Sequence, residues 1–168
     1  MSKIAAVFGG AKNDKNSKEY LDSVLLGQIL ATKSYQVKTG GYYGIMEAVS
    51  KGVFENGGTS IGHTCSTFKT TKGNKYLTET IPAKNIYERL EMLVENTDIF
   101  ILQKGGIGTL SELFLTIDVV RKLENKPKIL LIGEFWEDIM KSVSQFLNNG
   151  EESLYEIIYD VNDIVKYL

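Results

Sequence analysis

The amino-acid sequence predicts an α/β protein with a three-layer architecture, in which helices cover both faces of a parallel sheet. Two observations favour this fold. Short apolar runs of strand length alternate along the 168 residues with longer runs whose apolar residues recur at helical spacing. No repeat, linker or low-complexity block divides the chain, and its length suits one hydrophobic core. We therefore expect a single domain over residues 1–168.

Each predicted strand is a short apolar run that ends at a glycine, a proline or a polar turn. Proline has no N–H group to donate to a sheet, so Pro82 is expected to end the fourth strand. A polar segment, residues 66–75, precedes that strand, and we predict a mobile loop there. The predicted strands cover residues 3–8, 35–38, 59–64, 76–81, 99–102, 128–132 and 157–159.

Each predicted helix carries its apolar residues along one stripe. We expect Asn16 or Ser17 to cap the first helix, Gly57 and Gly58 to end the second, and Gly150 to end the fifth. The alternation of helices with strands makes the predicted arrangement Rossmann-like, with right-handed crossovers. The predicted helices contain residues 21–30, 45–54, 85–96, 113–123, 135–147 and 161–168.

Glycine-rich loops follow three of the predicted strands. In open parallel sheets, ligands bind beyond the carboxyl ends of the strands, where the strand order reverses. Because all three loops lie at such ends, they predict a phosphate or nucleotide pocket along one rim of the sheet. The candidate binding residues are Gly10, Gly40, Gly41, Gly44, Gly105, Gly106 and Gly108, with Met46 placed at the cleft by position alone.

The segment 104–112 is the centre of this prediction, because a strand, three glycines in four positions and a helix follow one another. Glycines let main-chain N–H groups approach a ligand that a Cβ atom would exclude. The start of the helix adds unpaired N–H groups and the positive end of the helix dipole, which suit a phosphate. Glu112 is expected near the first helical turn, close to the bound group. The expected main-chain donors are Gly106, Ile107, Gly108 and Thr109.

A purely structural interpretation of the same segment stays open. Thr109 and Glu112 fit the S/T-x-x-E capping box, in which Thr109 would cap the helix and Glu112 would reach back to the cap N–H. Two other nucleotide motifs are absent from the sequence. The dinucleotide fingerprint G-x-G-x-x-G has Ser111 where its third glycine belongs, and the Gly-Lys-Ser/Thr of a P-loop occurs nowhere.

Composition and charge narrow the class of protein. The net charge of −2 gives no bulk attraction to nucleic acid or to an anionic membrane, so we expect neither partner. No apolar run approaches the ~18 residues of a membrane span. The single cysteine, Cys65, excludes an intrachain disulfide, and the N-terminal Met1-Ser2-Lys3-Ile4 shows no signal-peptide pattern. We therefore predict a soluble cytoplasmic protein.

Taken in order, these motifs resemble the LOG (Lonely Guy) family of nucleoside 5′-monophosphate phosphoribohydrolases, formerly labelled as lysine decarboxylases. The family signature P-G-G-x-G-T-x-x-E matches residues 104–112 at every position except the first, where Lys104 replaces proline. The family's upstream arginine, in an E-R-K-like context, is matched by Arg89. Its G-G-x-x-G-L-M-G-like loop is similar to residues 40–47, and its first glycine turn to residues 9–10.

The resemblance implies hydrolysis of the N-glycosidic bond of a nucleoside 5′-monophosphate, either AMP or an N6-modified AMP, to the free base and ribose 5-phosphate. It implies Glu112 and Arg89 as the catalytic residues, no metal or other cofactor, and a homodimer. In some relatives this reaction produces an active cytokinin.

The residue types support this chemistry independently of the resemblance. Cleavage of a C1′–N9 bond develops oxocarbenium character on the ribose, and a carboxylate such as Glu112 can stabilise that charge or deprotonate water. Arg89 is a planar bidentate donor, suited to an anionic group or to orienting Glu112. Its structural alternative is an arginine at the border of an apolar helix stripe, covering apolar surface or forming a surface ion pair.

Several further residues have weaker support. His63, the only histidine, either lines the pocket or fills a structural position. Cys65 lacks the partners of a zinc site or of an activated thiol, and Ser111 has no catalytic triad in the sequence around it. Tyr42 and Tyr43 are either base-stacking residues or ordinary surface aromatics.

A binding protein remains the main alternative to an enzyme, since the resemblance also extends to nucleotide sensors and molybdenum-cofactor carriers. Lys104 favours it, because lysine loosens a turn that proline would stiffen and adds a cation near the phosphate. Leu90, where many family members carry lysine, removes a polar group beside Arg89. Retention of Arg89 and Glu112 favours the enzyme. A nicotinamide-dependent oxidoreductase is disfavoured, because no acidic residue follows the second predicted strand to hold a ribose hydroxyl.

Overall fold

One parallel sheet forms the middle layer of the computed structural model, which describes residues 3–70 and 72–168. Its strand order is β4-β3-β2-β1-β5-β6-β7, and every neighbouring pair is parallel. Met1 and Ser2 of the predicted N-terminal pattern, and Thr71 of the predicted loop, lie outside the described residues. The strands are β1 (Ile4–Phe8), β2 (Gln36–Thr39), β3 (Ser60–Cys65), β4 (Glu79–Ala83), β5 (Ile99–Leu102), β6 (Lys128–Ile132) and β7 (Tyr155–Ile158).

Five α-helices in the described residues cover the two faces of the sheet. None of them is long and apolar enough to cross a membrane. The helices are α1 (Lys18–Thr32), α2 (Ile45–Glu55), α3 (Ile86–Val94), α4 (Ile107–Val120) and α5 (Phe135–Val143), and short 3-10 turns cover Ser144–Phe146, Glu151–Leu154 and Val161–Tyr167.

The alternation of side chains along each strand produces two separate cores. Ala5 and Val7 of β1 face α1, α2 and the C-terminal turn, whereas Ala6 and Phe8 face α3, α4 and α5. Successive side chains of a strand point to opposite faces, so a strand buried on both faces is apolar throughout. This confirms the predicted three-layer, Rossmann-like fold.

Several predicted boundaries were wrong. The fourth strand starts at Glu79 rather than at residue 76 and continues through Pro82, which pairs with Thr64. A proline is tolerated there because β4 is an edge strand, so its missing N–H costs no internal sheet bond. The last predicted helix is a 3-10 turn, and Gly150 precedes the Glu151–Leu154 turn instead of ending α5, which stops at Val143.

The strand order reverses around β1. The chain moves outward from β1 to β4 on one side, then returns to β5 beside β1 and moves outward to β7 on the other. Such a reversal leaves a crevice at the carboxyl ends of the central strands. All three predicted glycine loops follow the strands that flank this crevice.

Candidate active site

The structure brings the three glycine loops into direct contact. The main-chain N–H of Gly10 donates to the carbonyl of Lys104 at 3.1 Å, and the N–H of Ile45 donates to the carbonyl of Gly10 at 2.8 Å. Gly44 has a φ of +65°, and a Cβ atom there would lie 2.4 Å from the Gly10 carbonyl oxygen. Only glycine fits this close crossing, so the loops after β1, β2 and β5 form one continuous rim.

Helix α4 opens onto that rim with its first turn uncapped by any side chain. Gly106 is the residue that precedes the helix, and the first helical hydrogen bond runs from Leu110 N–H to the Gly106 carbonyl at 3.1 Å. The N–H groups of Ile107, Gly108 and Thr109 come before that bond, so they have no acceptor within the helix. A Cβ atom at Gly106 or Gly108 would meet no protein atom within 4 Å. The start of α4 therefore offers an open anion-binding surface.

The predicted capping box is wrong. Helix α4 begins at Ile107, so Thr109 is its third residue, and no side chain caps it. Glu112 is the sixth helical residue and lies in the second turn rather than at the cap. Because Glu112 follows Gly108 by four residues, both lie on one face of the helix, about 5–6 Å apart along its axis.

Arg89 of α3 reaches the same rim on the face of the sheet that α3 shares with α4. It is 6% exposed, and its Nε donates to the carbonyl of His63 at 2.7 Å. Its Nη1 lies 3.8 Å from Oε1 of Glu112, which is an ion-pair distance rather than a hydrogen bond. A Cβ atom at Gly40 would lie 1.9 Å from Nη2 of Arg89 and 2.7 Å from Sδ of Met46. Gly40 therefore leaves the space that the guanidinium occupies, and Met46 borders it.

Burial and a neighbouring charge act in opposite directions on the pKa of Glu112. Its side chain is 13% exposed, and burial raises its pKa to about 7, although the positive charge of Arg89 lowers it. Burial disfavours the charged form of a carboxyl group, whereas a neighbouring cation favours it. A carboxyl group with this pKa can take up or release a proton near neutral pH, which is what acid–base catalysis requires.

His63 holds Arg89 through its main chain and keeps its imidazole neutral. Burial, together with the charges of Lys38 and Arg89, lowers the pKa of His63 to about 4. In the described part of the chain, neither ring nitrogen has a hydrogen-bond partner. The contact that His63 makes with Arg89 is through its main-chain carbonyl, and the two roles proposed for its ring stay predictions.

Tyr42 is not a surface residue, whereas Tyr43 is partly exposed. The ring of Tyr42 lies 5.7 Å from Cζ of Arg89, and its hydroxyl accepts a hydrogen bond from Cys65 N–H at 2.8 Å. Tyr42 is therefore not an ordinary surface aromatic, because it packs against Arg89, and its role in stacking on a base stays a prediction.

The side chain of Lys104 lies beside the start of α5. Its Nζ lies 5.4 Å from the ring centroid of Phe135 at the beginning of α5. Its carbonyl accepts the bond from Gly10 N–H, and proline would offer the same carbonyl. The replacement of proline by lysine therefore keeps the contact between the loops after β1 and β5.

Phe68 is a site residue that the sequence did not single out. It lies in the loop between β3 and β4, and its ring centroid is 5.7 Å from Cζ of Arg89 and 6.1 Å from the ring of Tyr42. No local motif marks it. The only available signal was that this loop follows β3 and therefore reaches the same rim of the sheet.

The chain is similar to a described protein family and to several characterised proteins. A family model described as the SLOG cluster4 family matches residues 2–159. The cytokinin riboside 5′-monophosphate phosphoribohydrolase LOG5 of Arabidopsis thaliana is 30% identical over 154 residues, which cover 88% of this chain and 67% of that protein. The pyrimidine/purine nucleotide 5′-monophosphate nucleosidase of Escherichia coli K12 is 27% identical, and the match covers 86% of this chain and 36% of that protein.

A solved structure shares the fold. The molybdenum cofactor binding protein of Rippkaea orientalis superposes with a TM-score of 0.80 at 21% identity, over 99% of this chain and 95% of that chain. At this identity the likeness is one of fold alone.

Proposed function

This chain belongs to the SLOG cluster4 family, and from that premise we propose that it is a nucleoside 5′-monophosphate phosphoribohydrolase. The substrate would be cleaved at its N-glycosidic bond to free base and ribose 5-phosphate. The observation that carries this proposal is the Arg89–Glu112 pair, which lies one helical turn from the open start of α4.

The start of α4 is the proposed phosphate site. Main-chain N–H groups at a helix N-terminus, with the positive end of the helix dipole, suit a 5′-phosphate. Side chains of a helix lean toward its N-terminus, so Glu112 leans toward a phosphate bound at Ile107–Thr109. A ribose attached to that phosphate would extend along α4 toward the carboxylate.

Glu112 is the proposed catalytic base. As the C1′–N bond breaks, its electron pair leaves with the nucleobase, and positive charge develops on the ribose. The Glu112 carboxylate stabilises this charge and takes a proton from the water whose oxygen bonds to C1′. The departing base takes up a proton from solvent, which completes the hydrolysis.

Arg89 is proposed to hold Glu112 in its reactive state. Its positive charge opposes the effect of burial on the pKa of Glu112, which keeps part of the carboxyl group ionised at neutral pH. Its other contacts, with the His63 carbonyl and two aromatic rings, fix the guanidinium in place. Because a planar guanidinium has five donors, Arg89 can also contact a substrate oxygen.

The proposed substrate is AMP or an N6-modified AMP. The name of the Arabidopsis relative specifies a cytokinin riboside 5′-monophosphate, whereas that of the Escherichia coli relative covers pyrimidine and purine nucleotides. Chromatographic detection of free base from AMP and from N6-isopentenyl AMP tests the activity and ranks the two substrates.

A nucleotide sensor or molybdenum-cofactor carrier is the second candidate. The fold shared with the Rippkaea orientalis protein and the exchange of the signature proline for Lys104 fit this candidate. The content of molybdenum in protein purified from its natural host separates the two candidates. Stoichiometric molybdenum without base release would support the carrier, whereas base release without molybdenum would support the enzyme.

Activity should rise with pH between 6 and 8. Burial raises the pKa of Glu112 to about 7, so the reactive carboxylate is the minor form below that pH. We expect kcat/KM for AMP to fall about tenfold from pH 8 to pH 6, with a midpoint near pH 7. A profile that rises toward acid pH would show instead that the protonated form of Glu112 is required.

We propose that two copies of the chain associate through a groove of about 1290 Å³ between α3 and α4. Leu90, Val94 and Leu123 line it, and Tyr87 beside them is 80% exposed. Its walls also carry charges of both signs, which two copies related by a twofold axis can pair with each other. The charged lining residues are Lys3, Glu91, Glu95, Asp98 and Lys126.

Sedimentation velocity tests this association. The unmodified chain should sediment as a dimer, and Leu123→Asp should sediment as a monomer, because a charge would be buried in the groove. Phe146→Asp, at an exposed aromatic residue outside the groove, is the matched control and should stay dimeric. A monomeric unmodified chain at micromolar concentration would contradict the proposal.

A further inference from the structure

The loop between β3 and β4 (residues 66–70 and 72–78, the β3–β4 loop) is fastened to the candidate site by one buried side chain. Asn74 is 6% exposed. Its Nδ2 donates to the carbonyl of Tyr42 at 2.9 Å and to that of Gly41 at 3.3 Å, and its main-chain N–H donates to the Gly41 carbonyl at 2.8 Å. These bonds connect the β3–β4 loop to the glycine loop after β2.

The chemistry of the contact requires an amide. The carbonyl groups of Gly41 and Tyr42 can only accept hydrogen bonds, so the side chain that meets them must donate. The other end of the amide does the reverse, because Oδ1 of Asn74 accepts from the N–H of Tyr76 at 3.1 Å. An aspartate of the same shape would keep the second contact and would replace the first with charge repulsion.

The two segments that Asn74 connects both contact Arg89. Tyr42 belongs to the glycine loop and Phe68 to the β3–β4 loop, and each ring lies 5.7 Å from Cζ of Arg89. Phe68 is 37% exposed, so its position depends on the loop that carries it more than on the core. Loosening either segment would free the guanidinium to move away from Glu112.

We propose that Asn74 is a positioning residue for the proposed reaction, because its amide fastens the β3–β4 loop to the glycine loop and keeps Tyr42 and Phe68 against Arg89. Its effect on turnover rests on the proposed function, whereas its effect on the loop does not. Asn74 does not act on the substrate itself, since it is buried and its Nδ2 already donates to two main-chain carbonyls.

Asn74→Asp is the direct test, with Asn56→Asp as its matched control. Asn56 also donates from Nδ2 to a main-chain carbonyl, that of Gly52 at 3.0 Å, but it lies at the far end of α2. We expect Asn74→Asp to lower kcat/KM at least tenfold and to move the pH midpoint upward, because a displaced Arg89 no longer lowers the pKa of Glu112. The control should leave both quantities unchanged.

Limited trypsin digestion reports on the loop without any need for turnover. The β3–β4 loop contains Lys69, Lys72 and Lys75, which are exposed cleavage sites. Cleavage after these lysines should be at least tenfold faster in Asn74→Asp than in the unmodified chain, since a freed loop reaches the protease more often. A cleavage rate within about twofold of the unmodified chain would overturn the proposal, even if no hydrolysis of AMP is found.

The variant Phe68→Ala tests whether the β3–β4 loop acts through Arg89. Because both substitutions act on the same arginine, kcat/KM of the double variant should be no more than about threefold below that of the less active single variant. Losses in kcat/KM that multiply would show that Asn74 does not act through Phe68. If Asn74→Asp does not fold, Asn74→Ser removes the Nδ2 contacts with Gly41 and Tyr42 without adding a charge, and the same trypsin and pH measurements decide the question.

Discussion

Replacement of Glu112 by glutamine should abolish base release and leave nucleotide binding almost unchanged. Glutamine has the shape of glutamate, but it can neither stabilise an oxocarbenium ion by charge nor accept a proton from water. The proposed phosphate donors are main-chain N–H groups at the start of α4, which the substitution does not touch. We expect kcat to fall about 10³-fold or more, with the Kd for AMP within about threefold of its original value.

Two measurements check this expectation side by side. Free base is quantified by chromatography, and AMP binding is measured by calorimetry. Glu55→Gln, at the exposed end of α2, is a control that should keep full activity. Near-normal turnover in Glu112→Gln would remove Glu112 from the mechanism and leave it a buried structural carboxylate.

Replacement of Arg89 should have the second-largest effect, and lysine should not rescue it. A lysine ammonium is a single point of charge, so it cannot donate to the His63 carbonyl and face Glu112 as the planar guanidinium does. We expect kcat/KM to fall about 100-fold in Arg89→Lys and further in Arg89→Ala. Arg121→Lys, at the chain's other arginine, lies beyond the end of α4 and should retain activity.

The pH dependence of activity in Arg89→Ala distinguishes an effect of Arg89 on Glu112 from an effect on the substrate. Arg89 lowers the pKa of Glu112, so its removal should raise that pKa above its original value of about 7. The loss of activity should therefore be larger at pH 7 than at pH 9, where the carboxylate forms in either case. A loss that is equal at all pH values would mean that Arg89 acts on the substrate rather than on Glu112.

The sheet was predictable because each of its inner strands is apolar throughout. A strand such as β5 (Ile99–Leu102), buried on both faces, permits few alternatives to a covered parallel sheet. The boundaries of the edge strand β4 were harder to predict. Residues 79–83 at the edge alternate less clearly and contain Pro82, so their start and end were misplaced. The pairing with β3, which no local pattern reveals, sets those boundaries.

The candidate site was predictable where it depends on the main chain. Glycine loops after parallel strands must meet at one rim, and the contacts of Gly10 with Lys104 and Ile45 follow from that topology. The start of α4 was not predictable from Thr109 and Glu112, because the capping pattern competes with a helix that begins earlier at Ile107. That earlier start places Glu112 one turn along the helix instead of at its cap.

The surroundings of Arg89 were beyond local sequence patterns. Its contacts come from the carbonyl of His63, the ring of Tyr42 and the ring of Phe68, which lie 21 to 47 residues away along the chain. Of these, Phe68 belongs to the β3–β4 loop, which Asn74 fastens to the glycine loop of Tyr42 through main-chain carbonyls. Every residue type has the same main-chain carbonyl, so the sequence does not show which carbonyls Asn74 contacts.

Release of free base from AMP and from N6-isopentenyl AMP by the purified protein is the most direct test of the proposed activity. We expect free base and ribose 5-phosphate in equal amounts from at least one of the two nucleotides, and no release by Glu112→Gln. Binding of both nucleotides without release of either base would contradict it, and would identify the same pocket as that of a sensor or carrier.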